Sequence, residues 1–492
     1  MGAAEERNLR LEQSEDEETE YGSANTADPF FSHKYNIFVK SEYDEGHMTN
    51  DMTKGPILPA LIRFTVPLIA GNLLQLTYNA VDSMIVGRYV GKEALAAVGT
   101  SNPLMTLVLL FTNGICLGAG LLVSYHYGAE DHETLQRQVS TGLCAGSVFS
   151  VTAGLLITVL STAIMKLLRA DPAILAEASG YLQIIMMGLI FSFMYNYFAS
   201  MLRAMGDSRS PLIFLAISTV LNIAGDLILV AGLKLGIVGA AVSTVICEAL
   251  SAILCWIYIY RKIPVLRLGK KWLVVDYRLL KKTLSFGIVS ALQQSSVQLG
   301  KLVIQAFVNT LGVTSTAAFN AVNRTDDFAI VPEQNIAHAM SSVMAQNAGA
   351  HHSSRMKQTF RYGIYLELAF SIVIAVLLYG FAEPIMRLFT ADAGVIREGV
   401  DYLHLIAFMY PAPALTNGIQ GYFRGTGDLR ITLISSIINM VFRCISCYIL
   451  LYHLGFTFSV LPWSYLAGWI AMMVYEVPIL LSRQVRKSGF ES

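Results

Sequence analysis

The sequence predicts an all-α membrane protein in which twelve transmembrane helices form two homologous six-helix lobes around a central cavity. Hydrophobic residues make up 54% of the 492 residues and charged residues only 14%, whereas a soluble surface needs roughly a quarter charged side chains. Apolar runs long enough to cross about 30 Å of hydrocarbon recur along the chain. The second half also matches the first at a constant offset of 221 residues.

The internal repeat continues without a gap from the first turn between spans to the fifth span of each half. Matching pairs include Gly91 and Gly312, Asn102 and Asn323, Gly142 and Gly363, Tyr181 and Tyr402, and Arg203 and Arg424. A repeat of this length in an apolar chain is typical of solute transporters, whose binding sites lie between the repeats. We therefore expect a cavity between the two lobes.

Six apolar spans are predicted in each half. In chain order they cover residues 58–86, 94–125, 137–165, 173–202, 210–233, 236–260, 282–308, 314–347, 358–384, 395–422, 431–452 and 461–482. An even number of spans returns the chain to its starting side, so the two lobes should have the same orientation and be related by an axis along the membrane normal.

The charge distribution divides the rest of the chain. Residues 1–53 contain 13 acidic and 4 basic residues and have no apolar period, which predicts a disordered segment and not a signal peptide. The N-lobe should cover residues 54–261, a basic linker 262–281, the C-lobe 282–485 and a short tail 486–492.

Loop charges predict the orientation in the membrane. One face carries nineteen Lys and Arg residues and the other carries seven. Because positive residues stay on the cytoplasmic side, both termini should be cytoplasmic, in a multi-pass protein of the cell membrane. The linker should lie as a basic amphipathic strip along that surface.

Polar residues inside the N-lobe spans predict a cation site. Asp82 lies in the first span, Asn222 and Asp226 lie four residues apart in the fifth, and Ala240 and Thr244 lie four apart in the sixth. A spacing of four places each pair on one helix face. The carboxylates, the amide oxygen, the hydroxyl and a backbone carbonyl are hard ligands that suit a proton or Na⁺. The alternative is that the acids pair with buried donors and only fix the bundle.

Two further predictions concern buried residues of the spans. Pro67 lies deep in the first span, where it frees a carbonyl and should kink the helix. In the C-lobe, Lys301 or Arg443 could form an ion pair with Glu333, but the sequence does not determine which of the buried charges meet. No residue cluster predicts a resident metal or an organic cofactor, so H⁺ or Na⁺ is the only expected ion, with Asp82, Asn222, Asp226 and Thr244 as its ligands.

The chain resembles the multidrug and toxic compound extrusion (MATE) family over residues 54–485. The motifs that carry the resemblance are Pro67 with Gln75 and Tyr78-Asn79-Ala-Val-Asp82, Ala96-Ala-Val-Gly99, the Arg-x-x-Gly-Asp turns at 203 and 424, Asn222-x-x-x-Asp226, and Gln346-Asn347-x-Gly349-Ala350. The resemblance implies two lobes in a V around a cavity and export of drugs in exchange for H⁺ or Na⁺. The resemblance also implies which residues bind the coupling cation and that Pro67 is the responsive kink. The cation ligands would be Asp82, Asn222, Asp226, Thr244 and the backbone carbonyl of Ala240.

One departure from the family pattern indicates the subtype. NorM-type members carry an acidic residue in the seventh span and another in the tenth, but the corresponding stretches here read Gln293-Gln-Ser-Ser296 and Thr416-Asn417-Gly-Ile-Gln420. The C-lobe therefore lacks that acidic site, and the chain is more similar to the DinF-type branch.

The predicted function is multidrug efflux by antiport, with drug-like solutes and the lipid bilayer as partners, no nucleic acid, and a monomeric chain. The alternative within transporters is a flippase for a lipid-linked or anionic substrate, suggested by Arg324, Arg443 and Lys301. An intramembrane enzyme is not expected, because the chain has no His-Glu-x-x-His and no Gly-x-Ser-x-Gly motif. A channel is not expected either, since no filter loop repeats.

Overall fold

A computed structural model describes residues 51–267, 274–455 and 458–482. The predicted acidic segment, apart from residues 51–53, lies outside the described residues, as do the middle of the linker and the tail 486–492. The domain limits drawn from the sequence therefore stay predictions in these stretches.

The N-lobe contains seven α-helices within the described residues. They are α1 (Ile57–Tyr89), α2 (Lys92–Gly128), α3 (His132–Leu167), α4 (Leu175–Met187), α5 (Leu189–Ala204), α6 (Arg209–Asp226) and α7 (Gly236–Lys262). A π-helical segment, Leu227–Gly232, continues α6, and a 3₁₀ turn, Pro264–Leu266, follows α7.

The C-lobe repeats this order. Its helices are α8 (Tyr277–Asn309), α9 (Val313–Gly349), α10 (Ser353–Phe389), α11 (Ala393–Ala407), α12 (Pro411–Gly425), α13 (Leu429–Tyr448) and α14 (Pro462–Ser482). A π-helical segment, Ile449–His453, continues α13, and a 3₁₀ turn, Phe458–Val460, precedes α14.

Two of the twelve predicted spans are broken helices. The pair α4 and α5 bends by 44° at Gly188, and the pair α11 and α12 breaks just before Pro411. Eight described helices are long and apolar enough to cross a membrane by length and composition alone, and the α4–α5 pair makes a ninth. With each broken pair counted once, the fourteen helices form the twelve-span, two-lobe fold that the sequence predicts.

The helix limits follow the internal repeat closely. Helix α2 begins at Lys92 and α9 at Val313, and both are 37 residues long. Gly91 and Gly312, which precede them, have φ values of 123° and 105°. Only glycine adopts such φ angles without strain, so this turn is encoded in the same way in both lobes.

The lobes touch at one end of the molecule, called here the closed end, where α2 and α9 finish. A Cβ atom added at Gly128 would overlap the Gln346 carbonyl, and one added at Gly349 would overlap the Tyr125 carbonyl. Further along α2, a Cβ at Gly118 would lie 2.9 Å from the Cβ of Phe286 on α8. The absence of side chains at these glycines lets the two lobes approach at backbone distance.

Residues 51–55, called here the strap, cross from the N-lobe to the C-lobe at the closed end. The backbone N–H of Met52 donates to Gln346 Oε1 (3.1 Å), and Asn347 Nδ2 donates to the Met52 carbonyl (3.2 Å). Arg355 on α10 donates to the carbonyls of Met52, Lys54 and Gly55. Met52 is 3% exposed, so this last part of the predicted disordered segment is packed against the C-lobe.

Each lobe has hydrophobic clusters of its own. Phe193 and Tyr197 are fully buried in the N-lobe, as are Tyr402 and Tyr410 in the C-lobe. By contrast, large apolar side chains on the outer faces are exposed; for example, 80% of the surface of Val159 is accessible. Such a surface requires lipid as its solvent, which agrees with a multi-pass membrane protein.

Candidate functional site

A cavity of about 770 Å³ lies between the lobes. Its walls come from α1, α2 and α4–α7 of the N-lobe and from α8 and α9 of the C-lobe. The polar lining residues include Asn72, Gln75, Tyr78, Asn79, Asp82, Asn102, Asn113, Asn196, Arg203, Glu248, Gln294, Gln334, Asn335 and His338. A drug-sized ligand fits a cavity of this volume and mixed polarity.

The two predicted N-lobe acids meet at the wall of this cavity. Asp82 on α1 lines the cavity, and Asp226 at the end of α6 lies behind it with 0% exposure. Their carboxyl groups lie within hydrogen-bonding reach of each other. Two adjacent carboxylates in a low-dielectric environment cannot both remain bare anions, so the pair needs a shared proton or a bound cation.

The buried oxygens of this pair lack protein donors. Asp82 Oδ1 and both carboxyl oxygens of Asp226 accept no hydrogen bond of good geometry from another described residue. The hydroxyl of Ser243 lies beside Asp226, but it donates to the Asn222 carbonyl at 3.1 Å. The alternative reading, in which buried donors fix the two acids as a structural pair, requires donors to these oxygens. The described residues supply none.

Asn222 completes the polar group from the next turn of α6. Its Nδ2 donates to Ser243 Oγ at 3.2 Å and lies 3.5 Å from Thr244 Oγ1, while its Oδ1 is buried and accepts no bond from the described residues. A Cβ added at Gly225 would lie 2.6 Å from Ser243 Oγ, so this glycine allows α6 and α7 to approach. The arrangement presents the amide oxygen of Asn222 as a further acceptor.

Two other predicted members have different positions. Ala240 is buried on α7 one turn before Thr244 and is not among the residues that line the cavity. Pro67 does line the cavity, and α1 is one continuous helix from Ile57 to Tyr89 through it. The carbonyl ligand at Ala240 and the responsive kink at Pro67 both stay predictions.

Sequence reasoning missed several residues of the cavity wall. Glu248 lies four residues after Thr244 on α7, with the Ser192 hydroxyl within hydrogen-bonding reach. Tyr78 lies four residues before Asp82 on α1 and is close to both Asp82 and Glu248. The spacing of four that identified the predicted pairs, extended by one turn, would have found both residues.

The C-lobe ion pair with Glu333, which the sequence left open, is not formed among the described residues. Lys301 Nζ lies 3.0 Å from Asp327 Oδ1, and the Arg443 guanidinium stacks on the ring of Tyr465. Asn417 Nδ2 reaches Glu333 Oε2 at 3.5 Å instead. Glu333 is six residues from Asp327 on α9, a rotation of about 240°, so Lys301 cannot reach it from the same side.

The C-lobe stretches in which the family resemblance leads one to expect acids hold a neutral network among the described residues. Gln293 Nε2 donates to Gln420 Oε1 at 3.0 Å, Thr432 Oγ1 donates to Gln293 Oε1 at 3.2 Å, and Gln420 Nε2 donates to Ser436 Oγ at 3.1 Å. These amides satisfy one another and hold no charge. The DinF-type assignment itself stays a prediction.

Comparisons with known proteins agree with this architecture. The MatE family model matches residues 67–228 and 290–449. The probable multidrug resistance protein YoeA of Bacillus subtilis is 31% identical over 352 residues, which cover 70% of this chain and 76% of that protein. YpnP of the same organism, also named a probable multidrug resistance protein, is 29% identical over 79% of this chain and 87% of its own length.

The fold also matches a solved structure. A multidrug resistance MATE family transporter in an outward-facing conformation superposes with a TM-score of 0.84, covering 89% of this chain and 99% of that one at 20% identity. The matched family model spans most of both lobes, and the repeat, the two-lobe bundle and the N-lobe acids lie within it. The chain belongs to the MATE family.

Proposed function

We propose that this protein is a secondary active exporter of drug-like organic cations that exchanges them for H⁺ or Na⁺ at the Asp82–Asp226 pair. The observation that carries the proposal is the carboxyl pair, which is buried beside the cavity and has no donor at three of its oxygens. The names of the relatives, which describe multidrug resistance proteins, support the export of drugs.

The transport cycle follows from competition between two positive charges. When the carboxyl pair is anionic, the cavity attracts an organic cation through Asp82 and through Glu248 nearby. Entry of a proton or Na⁺ neutralises the pair, weakens this attraction and releases the solute. Pro67 lacks the N–H that would bond the carbonyl one turn earlier, so α1 has a weak point at which to respond.

The membrane orientation is part of the proposal. The excess of basic loop residues lies at the closed end, which we assign to the cytoplasm together with both termini, in the cell membrane. In this assignment the cavity faces outward, and uptake of the coupling ion from outside precedes opening toward the cytoplasm.

The structure weakens the alternative of an anionic-lipid flippase. Two of the three cations that suggested it are engaged: Lys301 with Asp327, and Arg443 with Tyr465. Only Arg324 is exposed. A fluorescent lipid assay in the same vesicles separates flipping from efflux.

Transport into proteoliposomes under one imposed gradient at a time tests the proposal. A pH gradient and a Na⁺ gradient, applied separately to inside-out protein, should identify the coupling ion by which of them drives accumulation of a cationic dye. Asp226→Asn and Asp82→Asn should lower gradient-driven accumulation to the level of empty liposomes, because neither amide binds a proton or carries a negative charge.

The matched control is Asp171→Asn, an exposed acid of the same lobe that lies outside the cavity. It should keep full accumulation. Full gradient-driven accumulation by both Asp82→Asn and Asp226→Asn would reject the coupling site.

A further inference from the structure

Two acids inside the C-lobe have no part in the proposed export cycle. Glu333 on α9 and Glu367 on α10 are both 0% exposed. They converge with α12, where Asn417 Nδ2 reaches Glu333 Oε2 at 3.5 Å and a Cβ added at Gly418 would lie 3.7 Å from Glu367 Cγ. Because Asn417 and Gly418 are consecutive residues, both acids pack against the same turn of α12 and lie close enough for their charges to interact.

These carboxyl groups lack protein donors almost completely. Glu333 Oε1 and both oxygens of Glu367 accept no hydrogen bond from the part of the chain that the structure describes. Arg424 on α12 is the nearby cation, but no described ion pair joins it to Glu367 within 4 Å. Burying an ionised carboxylate that accepts no hydrogen bond lowers the free energy of unfolding by roughly several kcal/mol.

The internal repeat shows that the fold does not need acids at these positions. At the offset of 221 residues, Glu333 corresponds to Thr112 and Glu367 to Gly146. In the N-lobe the ring of Phe193 fills the space at Gly146, since a Cβ there would overlap this ring. The C-lobe counterpart of Phe193 is Ala414, so a small residue on α12 leaves room for a carboxyl side chain on α10.

The same exchange occurs one turn further along. Tyr197 packs its hydroxyl against Gly142 in the N-lobe, and its C-lobe counterpart is Gly418, which packs against Ile364 and Glu367. The bulky side chain thus lies on α5 in the N-lobe but on α10 in the C-lobe, where it is a titratable glutamate. An apolar side chain would have filled this volume at a lower desolvation cost.

The other charged and titratable groups around the pair come from each packed element. Asp326 precedes Glu333 on α9, Tyr410 lies at the start of α12, Arg424 lies at the end of α12, and Glu476 on α14 lies beyond Arg424. Tyr410 donates to Asp326 at 2.6 Å. One buried arginine among these acids cannot neutralise all of them, so a proton is required.

We propose that Glu333 and Glu367 form a proton-binding site in the C-lobe, separate from the Asp82–Asp226 pair and recruited at positions that are not acidic in the N-lobe. A proton suits the pair better than a metal ion, because the hydrogen bond that reaches the pair from the described residues comes from the Asn417 amide, which points a donor at Glu333 and not a further oxygen ligand. Hard cations such as Ca²⁺ and Mg²⁺ take about six or more oxygen ligands, which two carboxyl groups do not supply.

The site is next to the transport cavity along α9. Gln334 and His338 line the cavity wall, and Glu333 faces the lobe interior from the same turn. A proton arriving at or leaving Glu333 therefore changes the charge directly behind the C-lobe wall of the cavity.

Infrared difference spectroscopy of the full chain in lipid nanodiscs tests the proton directly, without transport. At neutral pH the wild type should show a protonated carboxylic C=O band that shifts in D₂O and disappears as the pH is raised. Glu367→Gln should lower the intensity of this band by about the contribution of one carboxylic acid. Glu333→Gln should shift the frequency of the remaining band, because the substitution removes the neighbouring carboxyl group.

The matched control is Glu383→Gln, an exposed acid of the same helix that pairs with Arg387. It should leave the band unchanged. Equal bands in wild type, Glu333→Gln and Glu367→Gln would overturn the proposal, because both acids would then be ionised.

Thermal stability provides a second readout that remains informative if a variant folds poorly. If Glu367 holds a proton, glutamine is nearly isosteric with it, and Glu367→Gln should unfold within 1–2 °C of the wild type or above it. If Glu367 is ionised toward Arg424, the variant strands a buried guanidinium, and its midpoint should fall markedly. The second result would overturn the proposal, and neither measurement depends on whether Asp82 and Asp226 couple transport.

Discussion

At the residue scale, a spacing of four residues recurs on every helix that builds the N-lobe site. Tyr78 and Asp82 follow it on α1, Asn222 and Asp226 on α6, and Thr244 and Glu248 on α7. Each pair presents one polar stripe toward the same region. The stripes differ in exposure, because Asp226 is buried behind the wall while Glu248 lines the cavity. In the proposed cycle, the buried acid binds the ion and the lining acid attracts the solute.

Glu248→Gln should weaken the binding of cationic dyes more than that of neutral ones. The carboxylate lines the cavity beside Tyr78 and Tyr181, and losing one attractive charge at such a site costs about 1.4 kcal/mol, a tenfold change in Kd. Fluorescence titration of purified protein with a cationic and a neutral dye measures the difference.

Glu177→Gln, an exposed acid at the start of α4, is the control and should bind both dyes as the wild type does. An equal loss of affinity for both dyes in Glu248→Gln would indicate a general defect of the cavity and would contradict the electrostatic role.

At the element scale, the helices of the two lobes make contact through glycine. Gly128 on α2 and Gly349 on α9 are counterparts in the repeat, and each lies against a backbone carbonyl of the other lobe. A contact made by backbone atoms has no side chain to rearrange, so it is either formed or broken. The closed end should therefore behave as a two-state gate.

Gly128→Ala should open this gate. The added methyl group overlaps the Gln346 carbonyl, and overpacking of this kind costs about 1–3 kcal/mol, enough to shift a two-state population roughly 5- to 150-fold. Spin labels at His132 and Lys357, on a background without native cysteines, measure the distance between the lobes by electron–electron double resonance. The distance distribution should move to longer values.

Gly99→Ala is the matched control on the same helix, since a Cβ there meets nothing within 4 Å. It should leave the distance distribution unchanged. An unchanged distribution in Gly128→Ala would show that the closed end tolerates the methyl group and does not act as a gate.

Pro67→Ala should stabilise α1 and slow transport. The substitution restores the N–H that proline lacks and strengthens the helix by up to about 3 kcal/mol, which removes the weak point of the helix that carries Asp82. A higher unfolding midpoint together with slower gradient-driven efflux is the expected combination.

Pro103→Ala on α2 changes another intrahelical proline and should raise stability without slowing efflux. Wild-type efflux by Pro67→Ala would show that bending at Pro67 is not part of the cycle.

The sequence predicts the helices better than the partners of their side chains. The apolar runs and the constant offset determine twelve spans and both lobes, because each helix needs only local periodicity and a repeated turn glycine such as Gly91. The partners of Lys301 and Arg443 could not be determined from the sequence, since a pairing depends on how each helix is rotated in the bundle, at about 100° per residue. Asp82 and Asp226 were predicted because each belongs to a short motif on one helix face.

At the scale of the whole molecule, the lobes share a scaffold but not the buried acids of their spans. Asp82 and Asp226 correspond to Val303 and Cys447 in the C-lobe, and the C-lobe acids correspond to Thr112 and Gly146 in the N-lobe. The repeat thus preserves turns and helix lengths, while these buried acids occur in one lobe or the other. Protonation of these acids in one lobe consequently has no equivalent at the matching positions of the other lobe.

Arg355→Ala should loosen the contact between the lobes. The guanidinium holds three strap carbonyls and Asn347 Oδ1, and hydrogen bonds to a charged group contribute about 1.5–3 kcal/mol each when buried, less at this partly exposed site. Amide hydrogen exchange of residues 51–55 should rise by at least tenfold, and the label distance across the closed end should lengthen.

Arg137→Ala, which removes an exposed pair with Glu133 within α3, should change neither measurement. Unaltered exchange in Arg355→Ala would mean that the strap is held by Gln346 and Asn347 alone.

The strap contacts the C-lobe outside the cavity and contributes no residue to the cavity lining. It therefore offers a binding surface that is separate from the cavity. An antibody fragment or a synthetic ligand that clamped residues 51–55 onto α10 would arrest alternation without occupying the drug site. Its inhibition would be noncompetitive: raising the dye concentration would not restore the rate, in contrast to a blocker lodged between the lobes.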